Sequence, residues 1–133
     1  MIEVGTVLPE QVFYINRAML KSYADASGDQ NPIHQNEEFA VSVGLPNVIA
    51  HGMLTMGVAV QLVVDWVGDA GRVSDYQVRF TKPVVVDPVE GAVLVISAKV
   101  AELDEALGEV RLDLTVQFGE ATVLGKAQAW VQF

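Results

Sequence analysis

The hydrophobic pattern is densest from residue 48 to residue 67. That stretch reads V-I-A-H-G-M-L-T-M-G-V-A-V-Q-L-V-V-D-W-V, with no Lys, Arg or Glu and a first carboxylate at Asp65. Its length approaches that of a membrane span. His51, Gln61 and Asp65 sit inside it, Gly52 and Gly57 interrupt it, and no basic cluster flanks it, all of which argue against a span. The pattern predicts a soluble helix that is apolar on every side because it is buried on every side. Ala50, Gly52, Gly57 and Ala59 would let other backbones approach it closely. In so short a chain, only a sheet wrapped around the helix could cover all of it.

Upstream, Q-V-F-Y-I at 11–15 is a short β-rich run and predicts an edge strand. Asn16 follows as an N-cap, Met19, Leu20, Tyr23 and Ala24 recur at helical spacing, and Gly28 stands where a helix stops. The segment G-D-Q-N-P-I-H (28–34) cannot continue that helix, because Pro32 pushes Asn31 into an extended conformation. Asn36 caps a turn or two through Glu37, Phe39 and Val41, ending at Gly44. Downstream the pattern changes to strands: 73–81, with Pro83 and Pro88 marking its exit, then 92–100, 111–118 and 123–133. Leu112, Leu114, Val116 and Phe118 alternate with polar neighbours. In the last strand Val123, Gly125, Ala127, Ala129, Val131 and Phe133 share a face, opposite Lys126, Gln128 and Gln132. One α+β domain over 1–133 follows: a curved antiparallel sheet wrapped around one long central helix, its last four strands pairing consecutively as a meander.

With 51% apolar residues among 133, a sizeable core is available and disorder is excluded. The absence of cysteine excludes a disulfide scaffold, a thiolate metal site and a thiol nucleophile. The amino-terminal sequence lacks the basic region and long apolar run of a signal peptide, so a cytoplasmic enzyme or binding module is expected. A net charge of −9 with eight Lys and Arg leaves no basic face for nucleic acid.

Both histidines lie around the central helix: His34 closes D-Q-N-P-I-H and His51 opens A-H-G-M-L-T-M-G. Asp29 precedes His34 by five residues in a Pro-stiffened loop, and an Asp and a His converging on one space make a general acid–base pair. The structural alternative is that Asp29 caps a turn and His34 bonds locally. Asp29, His34 and His51 are too few and too unevenly spaced to read as a zinc or iron site. No serine lies in a nucleophile elbow, and no glycine-rich dinucleotide fingerprint is present. Ala50, His51, Gly52 and Met53 fall in the first helical turn, where free N–H groups suit an oxygen gaining negative charge. Gly52 leaves the approach open, or alternatively admits close packing.

Three segments carry a family resemblance. Y-A-D-A-S-G-D-Q-N-P-I-H-Q-N (23–36) resembles the signature of the MaoC-like, (R)-specific enoyl-thioester hydratases. I-A-H-G-M-L-T-M-G (49–57) resembles the start of that family's helix, and Y-Q-V-R-F-T-K-P-V (76–84) its next strand. W-V-G-D-A-G followed by Y-Q-V-R-F is similar to the catalytic B-subunit type of (3R)-hydroxyacyl-ACP dehydratases. The resemblance implies a hot-dog fold and reversible hydration of trans-2-enoyl thioesters to (3R)-hydroxyacyl thioesters. It further implies Asp29 and His34 as the catalytic pair, the Gly52 N–H as oxyanion donor and Asn31 as the residue shaping the loop; His51 also falls on a motif position, and we assign it a structural role at the helix start. Substrate contacts fall to Asn31, Ala50, Met53, Arg79 and Lys82, with neither metal nor redox cofactor. CoA and acyl carrier protein are anionic, so docking against a net −9 depends on Arg72, Arg79, Lys82 and Lys126 or on a partner subunit. Homodimers and heterodimers with a related hot-dog subunit are both compatible. The alternatives are a thioesterase on the same fold and a non-catalytic acyl-binding partner.

Overall fold

The computed structural model describes residues 2–133. Strand β1 (Gln11–Ile15) leads into helix α1 (Arg17–Ser27). Asn16 caps α1 by accepting from the Met19 N–H, and Gly28 ends it at φ 83°, a left-handed conformation that an L side chain resists. A single 3₁₀ turn (Pro32–His34) follows, then α2 (Glu37–Ser42), capped by Asn36 as its spacing predicts. The central helix α3 (Gly52–Val67) precedes β2 (Val73–Phe80), β3 (Ala92–Asp104), β4 (Glu109–Phe118), β5 (Ala121–Thr122) and β6 (Leu124–Gln132).

One antiparallel sheet runs β1-β3-β4-β6-β2, with β5 attached to β4, and α3 packs on its inner face. The apolar positions Leu94, Ile96 and Val100 of β3, Val110, Leu112 and Val116 of β4, and Ala129 and Val131 of β6 are all buried there. β1 is an edge strand, as expected. The four-strand meander is not what forms. β2 pairs with β6 at the opposite edge, and β3 pairs with β1 and β4. The reason lies in the connection after β2. Instead of turning back, it lies along the segment before α3, with the Ala50 N–H donating to Val84 O (2.9 Å) and the Val86 N–H to Val48 O (2.9 Å). The chain thereby crosses to the far end of the sheet before β3 begins.

Two expectations about α3 are corrected. Val48–Ala50 is extended rather than helical, its β-branched residues pairing with 84–86, and His51 is the residue before the first turn. Nor is the helix buried on every side. Thr55, Ala59, Leu62 and Val63 are buried, whereas Met53, Gly57, Gln61 and Asp65 form an exposed strip at i, i+4 spacing. One curved sheet covers one side of a helix and leaves the other open. Tyr76 secures the helix to β2 by donating its hydroxyl to Met56 O (2.8 Å), and burial pushes that phenol well above its ordinary range. Among the described residues, no helix is long and apolar enough to cross a membrane.

The last strand also departs from strict alternation. Lys126 takes φ 44°, and the β2–β6 register shifts between Gln77 and Arg79, so Leu124 is buried where alternation would place Gly125. Phe133, assigned to the inner face, lies beyond the strand and is half exposed.

Candidate active site

The loop carrying Asp29 and His34 is built from local hydrogen bonds and then stapled to the core. The Asp29 N–H donates to Ser27 Oγ (3.2 Å), Asp29 Oδ1 accepts from the Asn31 N–H (3.2 Å), and Asn31 Oδ1 accepts from the Ile33 N–H (3.2 Å). These side-chain turns supply the partners that a helix would otherwise supply. The Ile49 N–H then donates to Ile33 O (3.2 Å), which fastens the 3₁₀ turn to the extended segment before α3. Arg17 ties the same region together by donating to Val86 O (2.6 Å), Glu37 Oε1 (3.0 Å) and Asn47 Oδ1 (3.2 Å).

His34 is only 7% exposed, and its Nδ1–H donates to Ile49 O at 2.7 Å. A carbonyl oxygen can only accept, so Nδ1 carries the hydrogen and Nε2 keeps its lone pair. Burial is the main influence on its titration and lowers the pKa. The Ile49 bond opposes this, the neighbouring His51 adds to the lowering, and the Asp29 carboxylate opposes it. The two imidazoles stack with centroids 3.9 Å apart, and Tyr23 lies against the other histidine at 4.7 Å. His51 donates from Nε2 to Asp29 O (3.2 Å). Side-chain ligand atoms of Asp29, His34 and His51 all lie within 4.8 Å of one another. Stacked rings, each with one nitrogen bonded to a carbonyl, do not converge their lone pairs on a common point. The cluster suits proton transfer better than metal binding.

A cavity of about 380 Å³ opens beside this cluster, lined by His34, Ala50, Gly52, Thr55, Phe80 and Lys82 among others. Gly52 is the first residue of α3, so its N–H has no acceptor within the helix. A Cβ on Gly52 would meet the Phe80 ring at 3.0 Å, which explains the glycine: the ring lies against the helix start. The site therefore places a base with a free lone pair and an unpartnered N–H at one mostly apolar opening, with the Asp29 carboxylate beside His34 but outside the lining.

Of the residues expected from sequence, His34, Ala50, Gly52 and Lys82 line the cavity. Asp29 is exposed and stands beside His34 without lining it. Asn31 shapes the loop from outside. Met53 points to solvent on the open strip of α3, and Arg79 is exposed on β2; neither lines the cavity. Thr55, Phe80, Thr81 and Leu124 were not anticipated. Thr55 could have been found as a lone hydroxyl one helical turn after His51; the others come from strand ends whose convergence depends on the crossover.

Residues 4–117 match the MaoC like domain. This chain belongs to that family. The MaoC-like chain is 31% identical over 111 residues to the 3-hydroxybutyryl-CoA dehydratase of Methylorubrum extorquens, covering 83% of this chain and 68% of that protein. Over 83 residues it is 41% identical to 3-hydroxyacyl-thioester dehydratase X of Mycobacterium tuberculosis, covering 62% of this chain and 29% of that one. A solved MaoC-like dehydratase superposes with a TM-score of 0.97 at 39% identity, covering 99% of this chain and 41% of the other. The MaoC-like chain thus spans less than half the length of two of these three relatives. The curved antiparallel sheet around one central helix is the hot-dog fold of the family.

Proposed function

We propose that this MaoC-like domain catalyses the reversible addition of water to trans-2-enoyl thioesters, giving (3R)-hydroxyacyl thioesters. The observation that carries the reading is His34, buried, with Nδ1–H fixed on Ile49 O and Nε2 left as a base at a cavity that also holds the Gly52 N–H. In hydration, Asp29 and His34 orient a water molecule, and Nε2 takes one of its protons as the oxygen bonds to Cβ. The π electrons shift to Cα and the thioester oxygen, and the Gly52 N–H donates to that oxygen. The imidazolium then returns its proton to Cα, so one OH and one H are added and His34 ends as it began. Dehydration is the reverse. A proton-transfer group of this kind contributes about 10²–10⁴-fold, and an oxyanion donor about 10²–10³-fold.

The same reading gives Ala50 the wall of the acyl site. It gives Lys82, with Arg79 on the neighbouring strand, the attraction of CoA or carrier-protein phosphates. Neither cation is in a salt bridge among the described residues. Assembly with a second hot-dog domain, identical or related, completes the proposal. It is supported by the open strip of α3 and by relatives long enough to hold two such domains in one chain.

The test is to incubate short and long trans-2-enoyl-CoA with the protein, alone and with a candidate partner, and to resolve the product's configuration. A (3R)-hydroxyacyl-CoA product is expected. Free thiol without a hydroxyacyl product would make it a thioesterase, and neither product would make it an acyl-binding subunit.

A further inference from the structure

His51 is the most deeply buried ionisable side chain of the site, 1% exposed, yet its Nδ1 has no hydrogen-bond partner among the described residues. Its Nε2–H donates to Asp29 O, so Nδ1 holds a buried lone pair facing no donor. Buried polar atoms of this kind are unfavourable and call for an explanation. A phenyl ring would fill the same place without the orphaned atom, so packing alone does not account for an imidazole. What phenyl lacks is the Nε2–H.

That hydrogen ties the start of the loop to the core, which the bonds of Ile33 and His34 to Ile49 reach only at its other end. Asp29 follows Gly28, is exposed, and among the described residues is otherwise fixed only through Ser27 Oγ at the end of α1 and the Asn31 N–H on its own loop. His51 also supplies the face on which His34 lies, 3.9 Å between centroids with planes 24° apart. Tyr23 of α1 supports the back of His51 at 4.7 Å. One ring therefore touches both members of the pair.

We propose that His51 is a positioning residue, which fixes the ring plane of His34 by stacking and anchors the Asp29 backbone through Nε2–H, so that carboxylate and base act on the same water. This rests on the hydratase reading for its kinetic arm only. The ionisable groups around the stacked rings are Asp29 on the loop, Tyr23 on α1 and Lys82 on the cavity rim. Burial contributes most to the lowered pKa of His34, and the adjacent His51 adds to it.

Two variants separate the two contacts. His51→Phe keeps a flat ring and removes the donor; His51→Gln keeps a donor and removes the ring. Each is expected to lower kcat on the order of 10²-fold, the effect of an ångström-scale misplacement, with KM little changed. His51→Gln should also move the acid limb of the pH–rate profile upward as water reaches His34. A residue that only supports the fold would lower the melting temperature and leave kcat and the acid limb of the folded enzyme unchanged; that result overturns the proposal. Nitrogen-15 NMR of the parent chain above neutral pH needs no variant and no activity. It should show His51 as the Nε2–H tautomer with bare Nδ1, and His34 as the Nδ1–H tautomer with bare Nε2. The opposite tautomer at either ring overturns the proposal even if the variants do not fold. A parent without hydratase activity but with these tautomers would sink the functional reading and leave the positioning geometry standing.

Discussion

At the scale of single residues, His34 joins chemistry to pH behaviour. His34→Ala and Asp29→Asn should each remove activity by about 10²–10⁴-fold while leaving the fold intact. Their combined effect should fall well short of the product, because both act on one water. Near-parental rates for both folded variants would return Asp29 to the role of a turn cap. Burial lowers the pKa of His34 below its ordinary 6.5, so in the window between the folded value and 6.5 the unfolded chain binds more protons than the native one. Stability therefore rises with pH through that window, levels off above it, and declines as pH falls below 6.5. Denaturant melts across acidic to neutral pH should show a shallower slope in His34→Gln than in the parent. Both histidines and Asp29 were legible as candidates from D-Q-N-P-I-H and A-H-G-M-L. The stacking of the two rings was not, because ring planes depend on how the 28–34 loop is stapled to 48–50.

At the scale of elements, short-range chemistry was readable and long-range pairing was not. Asn16, Gly28 and Asn36 announce their helix ends because capping needs only neighbouring residues. The start of α3 was misplaced because Val48–Ala50 is as apolar as the helix it precedes, and periodicity cannot separate a short buried strand from a buried helix. The meander failed for a related reason: nothing local to Pro83 or Pro88 says that the connection will lie against 48–50. The turn that ends this crossover makes a sharp prediction. Gly91 has φ 70°, and a Cβ there would run into the backbone oxygen of Ile15, which cannot move without detaching β1. Gly91→Ala should destabilise the protein by at least ~1–2 kcal/mol from the left-handed conformation alone, measured by denaturant melting. At Gly52 the obstacle is instead the tip of the half-exposed Phe80 ring. Gly52→Ala should therefore fold, yet lose activity by about 10²-fold as the cavity beside the first N–H is crowded. Parental activity in that variant would remove Gly52 from the site.

For the whole molecule, the open side of α3 is what one chain leaves unresolved. The apolar run from 48 to 67 suggested a helix covered all round, and one sheet covers only half of it. The strip left open contains Gly57, and an added Cβ there would meet nothing within 4 Å. A glycine inside a helix costs about 1 kcal/mol relative to alanine, and no contact among the described residues explains it. Under the proposed assembly a second helix would account for it, since only a residue without a side chain would let two backbones meet at that point. Light scattering should accordingly give a mass of at least twice 14.4 kDa, alone or with a related subunit. Gly57→Phe should reduce the particle to a single chain and depress activity along with it. Gly57→Ala, the smallest addition, should weaken assembly while gaining up to ~1 kcal/mol of helix stability within the single chain. A parent that sediments at 14.4 kDa and is fully active would show that the exposed strip is ordinary surface, and that the cavity beside His34 is complete within one chain.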